Sequence, residues 1–275
     1  MDAWIILCPI LKALFYAASF GSVGSFLFSL HFAKHLTAEQ LAYCDSLGCR
    51  CTLAGAVMSL LMVLSVAGNL GGDIASVINP LLLQLALESK SGVGYLSAFI
   101  GFTGMLVAHR LRDYANKLGL LISSGVILLS FTMSGHSQLG GVLTQSLLFI
   151  HLFGIAFWLG ALLPFRWMCL QSDPHNLSTV AHHFGVFAIG YVGLLISVGL
   201  CYAYLLLGNI SLIFTTLYGN VLLIKIALVV ALLSFGAFNK FKLVPTLEIK
   251  RAHAVGQFRR SVQFEIALAF IIFTA

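Results

Sequence analysis

Charge is what this chain has least of. Only 9% of its 275 residues are Asp, Glu, Lys or Arg, against 60% hydrophobic, and the mean hydropathy is +1.01. So little charge excludes ordinary aqueous packing and predicts an all-α polytopic membrane helix bundle, with the lipid bilayer as its surroundings. No positively charged segment and no small-residue cleavage site follow Met1-Asp2-Ala3-Trp4, so the N-terminus reads as retained rather than as a signal peptide. Cys8, Cys44, Cys49, Cys51, Cys169 and Cys201 are scattered and form no small-domain framework, which argues against a disulfide scaffold. Internal repeats and low-complexity tracts are missing. So are a Gly-rich phosphate loop, a nucleophile elbow, a His-Glu-x-x-His helix and paired aspartates, and with them any positive sign of an enzyme.

What is present is a series of apolar windows, each about 20 residues and so able to cross a hydrocarbon core of about 30 Å. They run near 12–32, 51–68, 93–109, 118–135, 146–168, 183–207, 217–238 and 261–275, within one membrane domain over 1–275. The formal charge of +6 and the pI of about 9.1 do not point to nucleic acid, because the basic residues fall between apolar runs. With alternating helices, Lys34, Arg50, Arg110, Arg112, Lys117 and Arg166 collect on one face together with Lys240, Lys242, Lys250, Arg251, Arg259 and Arg260. Lys12, Lys90 and Lys225 are left elsewhere, so the crowded face is cytoplasmic and both termini lie outside. On the outer side, Leu81 to Leu87 after Asn79-Pro80 is too short to span and predicts an interfacial or re-entrant helix. Gly21, Ser22, Gly24 and Ser25, and later Gly101 and Gly104, predict faces where helix backbones approach closely.

Polar groups inside such a chain are functional candidates by default. His136 closes the fourth window and His151 opens the fifth, with a short polar loop between, so both belong near the outer surface. Helical spacing sets Met133 on the face of His136 and Trp158 on that of His151. Two imidazoles with a thioether suit copper better than magnesium or calcium. The plainer alternative is a helix-end histidine, an interfacial histidine and a space-filling methionine. On the inner face, His31, His35, Cys44, Cys49 and Cys51 form a second candidate for a soft metal, set against the reading of an ordinary cysteine-bearing loop. His182 and His183 open the sixth window on that face, where paired histidines usually mark the interface. Met58 and Met62, one turn apart, could relay a soft ion or simply fill the core. Lys225 and Glu265 are charges inside the lipid zone and need partners, each other or an ion path, since an unpaired central charge costs about 2.5–3.5 kcal/mol.

The order of these motifs resembles the CopD/PcoD-type copper resistance family of bacterial inner-membrane proteins. The resemblance rests on Ser134-Gly135-His136, on His151 with Trp158-Leu159-Gly160-Ala161-Leu162-Leu163-Pro164, and on Tyr218 to Lys225. It continues through Asn239-Lys240-Phe241-Lys242-Leu243-Val244-Pro245 and through Arg259-Arg260-Ser261-Val262 to Glu265, and so covers about residues 90–275. It implies an eight-span protein that moves copper, as Cu(I) or Cu(II), across the inner membrane, commonly inward, with a separate periplasmic partner of the CopC type. His136 and His151 carry over to the family's motif positions, whereas Met133, the cysteines and the Met58/Met62 pair do not. Trp158 and Pro164 are then expected to shape and seat the fifth helix. Two other readings stand beside copper import: a membrane haem-b electron carrier with bis-His ligation, and a copper-handling assembly partner that does not transport.

Overall fold

The computed structural model describes residues 4–134, 141–171, 176–207, 217–249 and 251–274. Among these residues the regular structure is entirely helical. The longer elements are α1 (Trp4–Phe32), α2 (Ala38–Gly71), α4 (Lys90–Ala108), α5 (Asp113–Ser130), α6 (Gly141–Met168), α7 (Leu177–Leu207), α8 (Leu217–Phe238) and α10 (Arg251–Thr274). The shorter ones are α3 (Pro80–Glu88) and α9 (Val244–Ile249), the latter joined to α8 by a π-helical turn over Asn239–Leu243. Seven segments are long and apolar enough to cross a bilayer: α1, α2, α4, α5, α6, α7, and α8 continued to Leu247. The eighth predicted window falls in α10, which is not among them. Its first half carries Arg251, His253, Arg259 and Arg260, leaving a short apolar remainder up to Thr274.

Helix starts are encoded locally. Asn79 caps α3 by accepting from the backbone N–H groups of Leu81 and Leu82, with Pro80 at the first helical position, where a missing N–H costs nothing. Thr37 and Gln40 form a reciprocal capping box before α2: Gln40 N donates to Thr37 Oγ1 at 3.2 Å, and Thr37 N donates to Gln40 Oε1 at 3.0 Å.

The chain divides into two compact units, the first up to Val23 with Leu47–Phe153, the second Gly24–Ser46 with Gly154–Phe273. In the first, α4 and α5 pack along their length. A Cβ on Gly101 would meet Ile127, and one on Gly104 would meet Ser123, so small residues bring the two backbones together as the sequence pattern predicts. Phe15 stacks on Phe131 at 5.1 Å and meets Phe102 edge-on, around a core that includes Met62, Met105 and Ile127.

In the second unit, Gly24 faces Gly160 so closely that a Cβ on either would run into the other's backbone. Pro164, inside α6, lacks the N–H that would bond the Gly160 carbonyl, a loss transmembrane helices tolerate when neighbours pack on the site. Phe28, Phe157, Phe165 and Phe184 form the aromatic core here, with Phe157 and Phe184 stacked at 5.3 Å. Gln40 and Asn176 pair through both amides at 2.7 Å, and Asn176 also donates to the His35 carbonyl, tying the start of α7 to the end of α1.

Candidate functional site

The outer motif begins where α5 stops. After Ser130 the chain makes a 3₁₀ turn over Phe131–Met133, and Ser134 is extended at φ −134°, ψ 164°. The helical register that placed Met133 on the face of His136 therefore ends before that histidine. His136 itself lies outside the described residues. Met133 is 38% exposed, with its Cβ against Gly94. His151 is half-buried in the first half of α6, and Trp158 follows two turns later on the same helix. The structure thus gives positions for Met133 and His151 without uniting the predicted trio.

The inner candidates separate. Cys49 and Cys51 sit in α2, not in a loop, and at about 100° per residue they point roughly 200° apart. Cys49 is exposed, whereas Cys51 turns inward against Gly21. A Cys-x-Cys chelate needs an extended or looped backbone, and the helix denies it one. Cys44 is buried. His31 is occupied at both nitrogens: Nδ1 lies 2.8 Å from the Leu27 carbonyl and Nε2 lies 3.1 Å from the Tyr191 hydroxyl. Since Nδ1 must carry the proton to donate to a carbonyl, Nε2 accepts from the tyrosine, and the ring sits edge-on to Phe157 and Phe187 as a satisfied core histidine. His35 stacks on His183 with centroids 4.0 Å apart and planes 16° from parallel, so their in-plane lone pairs do not converge. Among the described residues no three His, Cys, Asp or Glu side chains gather to hold a metal ion. Met58 and Met62 do stand one turn apart on α2, with Met62 fully buried.

What the second unit does assemble is a polar centre that sequence reasoning saw only in pieces. Glu265 on α10 is 2% exposed. Trp158 Nε1 donates to its Oε2 at 3.0 Å, and Asn239 Nδ2 donates to its Oε1 at 2.5 Å. Lys225, the partner considered from sequence, is half-exposed on α8, and the hydrogen bonds to Glu265 come from Trp158 and Asn239 instead. Trp158 therefore does more than shape α6. Asn239 continues the inward face that Leu232 and Gly236 begin on α8, and it was missed as a site residue because its partner, Glu265, lies on another helix. Its Oδ1 is buried and has no hydrogen-bond partner. Beside this centre lies a cavity of about 290 Å³ whose wall includes Trp158, Phe184, Asn239, Lys240, Phe258 and Glu265. The Lys240 ammonium is held by the Gly185 carbonyl.

A multi-helix membrane protein with a buried carboxyl between apolar helices is the class this geometry defines. The comparisons narrow it. Residues 1–146 match the family model described as "Copper resistance protein D-like, N-terminal domain", and residues 178–275 match "Copper resistance protein D". The chain belongs to the copper resistance protein D family. It is also similar to "Inner membrane protein YebZ" of Escherichia coli (strain K12), at 28% identity over 230 residues, covering 78% of this chain and 77% of that protein. No solved structure matches it.

Proposed function

We propose that this protein is a copper transporter of the bacterial inner membrane that carries copper, its cargo, from the periplasm to the cytoplasm and so contributes to copper homeostasis or resistance. One observation carries the reading: copper-resistance family matches at both ends of a chain whose helices can cross a bilayer. With α10 taken as an eighth crossing, as the sequence predicts, both termini are periplasmic in this reading, and the whole chain acts as one membrane unit without catalytic activity. His136 and His151 capture copper at the outer rim, with Met133 as a third, softer donor. Met58 and Met62 offer thioethers along α2, and Cys49, exposed on the same helix, offers a thiol near the inner end. Several partial sites suit transport, because each must release what it binds. A separate CopC-like periplasmic protein would deliver the ion.

The test is copper uptake into proteoliposomes containing the full chain, with His136→Ala and His151→Ala at matched reconstitution. Uptake should fall to the protein-free rate in both variants. Unchanged uptake in both would sink the assignment of the outer histidines. Copper binding with no flux in the unaltered protein would make it a copper-handling partner instead.

A further inference from the structure

The cavity beside Glu265 has three properties that together specify a ligand. First, its polar end has a surplus of acceptors. Each Glu265 oxygen receives one hydrogen bond and keeps further lone-pair capacity, and Asn239 Oδ1, on a residue 7% exposed, receives none. Were the Asn239 amide turned over, its polar atoms would still outnumber their partners, so the centre remains open to a further hydrogen-bonding group. Second, the walls are aromatic, with Trp158, Phe165, Phe184, Phe241 and Phe258 around the space. Flat rings favour a flat ring as guest. Third, the cavity reaches an apolar outer surface: among its lining residues Ile189 is 58% exposed, Ile196 45% and Phe241 71%, all on or beside helices apolar enough to lie in a bilayer. A molecule dissolved in the lipid can reach it sideways.

We propose that this cavity binds a membrane-dissolved hydroquinone-class molecule, one hydroxyl placing its single hydrogen between the Glu265 carboxyl and Asn239 Oδ1 and its ring lying among the aromatic side chains. The space of about 290 Å³ accommodates a substituted ring, with any tail left in the lipid. The Lys240 ammonium donates to the Gly185 carbonyl, and among the described residues no hydrogen bond joins it to Glu265 or Asn239. Oxidation of the ring to a quinone would remove the hydroxyl hydrogens and leave acceptors facing acceptors, so the site discriminates between the two forms. This inference is independent of copper transport and stands or falls without it.

Trp158 is a built-in reporter. In the full chain carrying Trp4→Phe and Trp167→Phe it is the last of the three tryptophans. A short-chain alkylhydroquinone titrated anaerobically into this protein in nanodiscs should quench Trp158 fluorescence saturably. The dimethyl ether of the same compound, which keeps the ring but has no donor, should bind about tenfold more weakly or worse, as should the hydroquinone to Glu265→Gln, the loss expected for one hydrogen bond. Ala188→Phe, which fills the cavity from α7, should abolish saturation while eluting as the unaltered protein does on size exclusion. Equal binding of hydroquinone and ether, displacement of the hydroquinone by its quinone at equal concentration, or saturation surviving Ala188→Phe would each overturn the proposal.

Discussion

The helices of the first unit and two helices of the second, α7 and α8, bury very different shares of themselves. In α4 and α5, 39% of the membrane-length window is buried, and in α2 it is 50%, whereas α7 buries 11% and α8 with its continuation only 6%. The least buried helices are also the most apolar, with mean hydropathy 2.2 in α7 and 2.6 in α8 against 1.5 in α4 and 1.4 in α5, as suits surfaces left to lipid. Small residues add to the contrast. Gly101 and Gly104 lie against α5, while Gly190 and Gly193 of α7 have open space where a side chain would project. In lipid, close packing must come from shape because acyl chains are as apolar as leucine, and a helix whose small face meets no neighbour stays wetted by lipid. The lesson is that membrane-length apolar helices can build either a filled wall or a wall with room behind it, and the cavity lies in the second kind.

Substitutions can test this contrast. The largest effect is expected from Gly101→Leu, which drives a side chain into Ile127, or from Gly24→Leu, which drives one into the Gly160 backbone. Overpacking costs about 1–3 kcal/mol and more where backbone must move, so thermal unfolding in detergent should drop sharply for both. Gly193→Leu should not lower the midpoint, and an equal drop there would break the comparison. Next comes Glu265→Ala, which leaves the Trp158 and Asn239 donors unsatisfied at about 1–3 kcal/mol each. Glu265→Gln, which keeps one acceptor, should fall between that variant and the unaltered protein in the same melt. Smaller and of opposite sign is Gly193→Ala, expected to raise stability by about 0.5–1 kcal/mol because the helical backbone suits alanine and no neighbour is disturbed.

The smallest effect lies in the turn between α2 and α3. The Asp73 carboxylate accepts from the Ser76 hydroxyl and from Ser76 N, the latter at 2.7 Å, and these bonds, the hydroxyl's first, hold its pKa below the ordinary carboxylate value. A depressed folded-state pKa means that the bonds contribute fully above the unfolded pKa and are lost as pH falls through the folded one. Exchange protection of the Ser76 amide should therefore persist at neutral pH and disappear only in acid. Asp73→Asn should weaken it at every pH, and protection that rises on acidification would contradict the assignment.

Seven of the eight spans, the short helix α3 and the glycine faces were readable from the sequence because each is written in neighbouring residues: an apolar run, an Asn-Pro start, small residues at helical spacing. The site was less so. Glu265 stood out as a charge in lipid, yet its partners lie 107 and 26 residues away, and nothing local marks Trp158 or Asn239 as theirs. Cys49 and Cys51 invited a chelate in a loop, and the continuous helix α2 set them on different sides. His31 advertised a ligand that its own Leu27 carbonyl and a tyrosine in α7 already satisfy. Tertiary partners decided these cases, and a single sequence does not print tertiary partners.

The π turn at Asn239–Leu243 behaves as one extra residue spliced into an otherwise continuous rod. Removing Phe241 would let the rod close up with its ladder of backbone bonds intact. A π turn takes up its extra residue by widening, so the faces before and after it would keep nearly the same directions. Asn239, at the start of the turn, would stay on the α8 face that meets Glu265. The loss would fall on the cavity, whose lining would give up the Phe241 side chain.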